Sequence, residues 1–79
     1  MIYTENCYRV EAYGQYRLTA REVSCGVSQV TMYDISALRF PLIWSTPLTH
    51  EAAAGAFELF KAIGYFDKPV HTEEVLMWE

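Results

Sequence analysis

The chain has 79 residues, enough for one domain near the size at which a single hydrophobic core is only marginally stabilising. A hydrophobic share of 52% against 20% charged residues describes a globular chain and excludes intrinsic disorder. No apolar run reaches the roughly 18 residues of a membrane span, and no basic-then-apolar leader opens the chain, so a cytoplasmic location is expected. The net charge of −4 is unevenly placed. Arg9, Arg17, Arg21 and Arg39 all lie in the first half, whereas the second half sets Lys61 and Lys68 against Glu51, Glu58, Asp67, Glu73, Glu74 and Glu79. An acidic balance of this kind argues against binding nucleic acid over the whole surface.

Residues 7 to 33 fit a three-stranded antiparallel meander. A turn centred on Gly14 pairs residues whose numbers add to 28 and sets Ala12, Val10 and Tyr8 beside Tyr16, Leu18 and Ala20. The opposite face then receives Arg9, Glu11 and Arg17. A second turn, Ser24-Cys25-Gly26, places Ala20 beside Val30, Leu18 beside Met32 and Arg21 opposite Gln29, with Gly26 in the left-handed position of a three-residue loop. Both turns assign the shared strand the same inward face. A one-residue slip would mix the faces, which a half-buried sheet resists.

Beyond Asp34, Leu38, Phe40, Leu42 and Trp44 alternate on one side of a fourth strand. Pro41 removes a ladder donor, which makes this an edge or bulged strand, and Pro47 helps to end it. Thr49 to Gly64 is the clearest helix. Thr49 is an N-cap, Glu51 complements the macrodipole, and Gly64 supplies a left-handed C-terminal residue, with Tyr65 expected against Phe60. Ala53, Ala56, Phe57, Phe60 and Ile63 share one face at helical spacing. Gly55 costs about 1 kcal/mol relative to alanine in a helix interior, a cost that a close backbone approach would explain. Val70 to Trp78 supplies a last strand. The expected class is therefore α+β, an antiparallel sheet of four to five strands packed on one amphipathic helix in the order β-β-β-β-α-β. A single domain spans residues 1–79.

Chemistry-bearing patterns are sparse. Cys7, Cys25, His50 and His71 include no close C-x-x-C or H-x-x-x-H pair, so neither a metal site nor any cofactor is expected. Nothing marks an activating base or oxyanion donor beside Cys25, and no catalytic residue is assigned. In the proposed register Cys7 lies too far from Cys25 for a disulfide. The candidate partner-binding residues are Arg9, Glu11, Tyr13, Arg17, Arg21 and Gln29 on the outer sheet face, because arginine is enriched at interfaces and binds carboxylate or phosphate bidentately. Glu73, Glu74 and Trp78 at the acidic end form a second candidate.

Two resemblances bear on function. Thr19 to Glu22 makes a capping box, and the following Gly26-Val27-Ser28-Gln29-Val30-Thr31 resembles the turn and recognition-helix start of helix-turn-helix regulators. That resemblance implies helices and DNA binding through residues 18–38. The chain departs from the pattern at Glu22, where a small residue is usual, and by the lack of Lys or Arg from Gln29 to Leu38. In format the whole chain resembles small inhibitor proteins of phages and mobile elements, anti-CRISPR proteins among them: very short, acidic, aromatic-rich, a sheet with one helix. The resemblance implies a non-catalytic protein that binds a host protein or ribonucleoprotein complex as a monomer or weak homodimer, with no direct nucleic-acid contact and no membrane.

Overall fold

The computed structural model describes residues 6–68, which form an α+β fold: four antiparallel strands followed by one helix. Strands β1 (Arg9–Tyr13), β2 (Tyr16–Ser24), β3 (Val27–Asp34) and β4 (Leu42–Thr49) lie in the sheet in chain order, and helix α1 (His50–Ile63) packs on one face. The last strand expected over Val70 to Trp78 lies outside the described residues.

The β2–β3 hairpin has the register read from the sequence. Ala20 faces Val30, Leu18 faces Met32, Thr19 faces Thr31 and Arg21 faces Gln29. Gly26 has φ 79°, the left-handed conformation that glycine adopts without a Cβ clash. The loop itself is Cys25-Gly26, two residues rather than three, because a bulge between Glu22 and Ser24 takes up the extra residue. Residues 18–34 are thus strand, turn and strand, not the two helices that the helix-turn-helix resemblance implied.

The first hairpin corrects the sequence reading by one residue. Arg9 faces Ala20, Glu11 faces Leu18, and Tyr13 faces Tyr16, so paired numbers add to 29 rather than 28. The loop is Gly14-Gln15, with Gly14 at φ 60° in its first position, where a type II′ turn puts glycine. The slip exchanges the faces of β1. Arg9, Glu11 and Tyr13 now stand on the helix side, while Val10 and Ala12 point outward, Val10 being 40% exposed.

The third correction is β4. It starts at Leu42 and runs to Thr49, through Pro47. Pro47 is tolerated because β4 is an edge strand, with no neighbour beyond it among the described residues to need its missing N–H. Leu38 and Phe40 belong to the connection before it, not to the inward face.

Strand passes into helix without a loop. Thr49 ends β4 and caps α1, its Oγ1 accepting from the Ala52 N–H at 3.1 Å. The helix ends at Gly64, φ 83°, whose N–H donates to the Phe60 carbonyl at 2.8 Å. Ala53, Ala56, Phe57 and Phe60 are buried against Leu18, Ala20, Val30, Met32, Trp44 and Leu48. Ile63 is 59% exposed and off the core, contrary to its helical spacing. Tyr65 stacks on Tyr16 at 4.7 Å between ring centroids rather than on Phe60. The chain after the helix is held across β4, where Trp44 Nε1 donates to the Phe66 carbonyl at 3.2 Å. A Cβ on Gly55 would meet nothing within 4 Å, so no close backbone approach explains this glycine among the described residues.

Candidate protein-binding surfaces

The residues that the sequence marks for partner binding divide between two faces. Arg9, Glu11 and Tyr13 form one cluster at the margin of the helix side. Arg9 donates from Nε and Nη2 to Glu11 Oε2 at 3.1 and 2.9 Å, and its guanidinium lies 4.4 Å from the centre of the Phe57 ring. Tyr13 donates to Glu11 Oε1 at 3.2 Å and packs on Phe60 at 5.2 Å. Desolvation against the helix, then the Glu11 charge and hydrogen bond, push the Tyr13 hydroxyl above the usual tyrosine range. These three side chains satisfy one another and cover the two core phenylalanines.

Arg17, Arg21 and Gln29 do share the outer face. The strand pairings arrange that face in four rows: Ala12, Arg17, Tyr33 and Leu42; Val10, Thr19, Thr31 and Ser45; Arg21, Gln29 and Pro47; then Ser24, Val27 and Thr49. The second row is tied by hydroxyls, Thr31 Oγ1 to Ser45 Oγ at 2.8 Å, with Gln29 Nε2 donating to the same Ser45 oxygen at 2.8 Å, and its Thr19 and Thr31 are buried. With Glu11 turned to the other side, the rows contain two positive charges and no carboxylate. Glu73, Glu74 and Trp78 lie outside the described residues.

A surface that the sequence reading missed is the β3–β4 connection. Leu38 is 98% exposed and Phe40 74% exposed, beside Ile35 and Leu42. The neck of this loop is fixed. The Asp34 N–H donates to the Pro41 carbonyl at 2.7 Å, and the Ile35 N–H to the Gln15 carbonyl at 2.8 Å. Asp34 Oδ1 accepts from the Ser36 hydroxyl at 2.6 Å and its N–H at 3.0 Å, while Oδ2 accepts from Gln15 Nε2 at 3.0 Å. These hydrogen bonds, those from Ser36 foremost, hold the Asp34 carboxyl below the usual aspartate range. The available signal was Pro41 followed by a run that alternates equally well from Leu42 onward. Alternation set no lower bound to the strand.

Four residues far apart in sequence meet at the other end of the sheet. Tyr8 Oη lies 2.6 Å from Ser28 Oγ, Ser28 Oγ lies 2.7 Å from His50 Nδ1, and His50 Nε2 lies 3.4 Å from Glu22 Oε2. Ser28 Oγ thus bridges Tyr8 Oη and His50 Nδ1, and the exposed side of the His50 ring stands within ion-pair distance of Glu22. Tyr8, Glu22 and His50 line a cleft of about 460 Å³ with Arg9 and Phe57. Ser28 is completely buried, so its hydroxyl is not offered to a substrate as a nucleophile. The chain of bonds ties the entry to β1 and the start of α1 to the middle of the sheet. No group of three or more metal-binding side chains occurs among the described residues.

In comparisons with family models, curated proteins and solved structures, the chain has no match. The reading of function rests on the surfaces themselves.

Proposed function

We propose that this protein is a non-catalytic, stoichiometric protein-binding inhibitor of the kind carried by phages and mobile elements, directed at a host nucleic-acid-processing complex of CRISPR type. The observation that carries the protein-binding part is the β3–β4 loop. Holding Leu38 and Phe40 in water gives up about 1.5–3 kcal/mol of burial apiece, a large amount for a domain of this size. Exposed apolar groups on a fixed neck are preordered anchors, which lose little conformational freedom when a partner covers them. The direction toward a host complex is supported by the format of the chain: small, acidic and without a catalytic motif.

Titration of the purified protein into the nuclease activity of a host complex tests the reading. A linear loss of activity that ends at one inhibitor per binding site is the expected result. Inhibition by far less than one equivalent would identify a catalyst instead. No inhibition at any ratio, with no complex formed, would remove the proposed target.

A further inference from the structure

We infer that the run Val75-Leu76-Met77-Trp78 returns to the molecule and fills an apolar groove between α1 and the end of β4. The inference stands apart from the β3–β4 loop and holds whether or not that loop binds a partner. Four observations carry it. First, α1 has more apolar surface than the sheet covers. Ala53, Ala56, Phe57 and Phe60 are buried, yet Ala52, Gly55, Leu59 and Ile63 form a second stripe at helical spacing, and that stripe is exposed. Second, the stripe borders a groove of about 330 Å³ lined by Leu48, Ala52, Gly55, Ala56, Leu59 and Phe66.

Third, glycine in a helix interior is costly relative to alanine, and a Cβ on Gly55 would meet no described atom within 4 Å. A glycine in the wall of a groove leaves room for an occupant that lies outside the described residues. Fourth, the chain itself arrives there. Trp44 Nε1 holds the Phe66 carbonyl, the two rings lie 5.5 Å apart, and Phe66 and Asp67 form part of the groove wall. Residues 69–79 follow Lys68, the last described residue, and 75–78 is their longest apolar run.

Reach and tethering select this occupant. Extended, the link 68–74 spans up to about 25 Å, whereas the groove runs about 10 Å along the helix from Ala52 to Leu59. The polar His71-Thr72-Glu73-Glu74 suits a link that stays in water. A segment tethered this closely has a high effective concentration, which favours it over the same run from a second copy. Docked there, it would cover Leu59 and enlarge a core that is small in a domain of this size.

The test uses the full chain and centres on Gly55. In an open groove Gly55→Leu would raise the unfolding midpoint, because leucine is the better helix former and its side chain would meet free space. The expected result is the opposite, a lowered midpoint, because the new side chain competes with 75–78. Adding Leu76→Ser with Trp78→Ser is expected to remove that loss, so that Gly55→Leu then stabilises the chain. In the isotope-labelled parent, nuclear Overhauser contacts are expected from Leu76 or Trp78 to Gly55 and Leu59, and they persist on dilution. A raised midpoint for Gly55→Leu in the parent, or no contact between 75–78 and α1, would overturn the inference. Contacts found only between labelled and unlabelled molecules of a mixed sample would overturn it too, and would assign the groove to a second copy. Should a variant fail to fold, the contacts in the parent decide.

Discussion

The two hairpins of the sheet share a middle strand, yet β2–β3 joins two strands with buried apolar sets whereas β1–β2 sets paired polar groups against that same strand. In β2–β3 both strands carry unambiguous inward sets: Leu18 and Ala20 against Val30 and Met32, all completely buried. In β1 the two candidate sets are Tyr8, Val10 and Ala12 or Arg9, Glu11 and Tyr13. The apolar set was the natural choice for the helix side, and the structure takes the other. Arg9 and Glu11 neutralise each other, Arg9 covers Phe57 and Tyr13 covers Phe60, so an edge strand closes the core with paired polar groups rather than valine. Hydrophobic patterning specifies a central strand. At an edge, the turn decides.

The contrast between a helix side that holds the fold and a β3–β4 connection that leaves Leu38 and Phe40 exposed can be broken by substitution. Phe60→Ala carries the largest expected effect. Phe60 is completely buried and touches Tyr13, so truncation costs about 3–5 kcal/mol, enough to unfold much of the population. Denaturant unfolding measures it. A midpoint close to that of the parent would mean that α1 does not pack on the sheet as described.

Arg9→Ala against Arg17→Ala sharpens the comparison at a single strand pair. Arg9 loses a half-buried ion pair and its place over Phe57, about 1 kcal/mol in all. Arg17 loses no pairing among the described residues, and the expected change is within about 0.5 kcal/mol. Equal losses, read from chemical denaturation of both variants, would return the two arginines to one face and restore the register that the sequence suggested.

How much was legible follows from where information is stored. The helix, its Thr49 and Gly64 caps, and the buried Ala53, Ala56, Phe57 and Phe60 were readable because capping chemistry and the 3.6-residue period agree there. The β1 register was readable in principle from Gly14-Gln15, since glycine leading a two-residue loop is a type II′ signature. Centring the turn on the glycine lost it. The start of β4 was not readable, because Leu38, Phe40, Leu42 and Trp44 alternate without a break. The Tyr8–Ser28–His50–Glu22 chain was out of reach, being a product of tertiary packing. Of the candidate binding residues, Arg17, Arg21 and Gln29 share the outer face, while the observed β1 register places Arg9, Glu11 and Tyr13 on the helix side.

A smaller effect is expected from acid. The Asp34 carboxyl is held below its ordinary range by Ser36 and Gln15, so its contribution is fully present above the ordinary aspartate value and is lost as pH falls through the lowered folded value. Amide exchange at Ile35, Ser36 and Ala37 should therefore speed up only in strong acid, and Asp34→Asn should weaken that dependence. Loosening of the loop near neutral pH would assign its neck to some other group.

The smallest expected change in stability belongs to the variant with the largest expected change in binding. Leu38→Ser with Phe40→Ser alters side chains that are mostly exposed, so its unfolding free energy should match the parent within about 0.5 kcal/mol. Binding of this variant to the proposed host complex, measured by calorimetry beside its denaturation curve, tests directly whether fold and function occupy separate surfaces. The account predicts a fully folded protein whose affinity falls by a factor of about 30 or more, as loss of an interface anchor requires. A folded variant that binds as tightly as the parent, or one that unfolds, would contradict it.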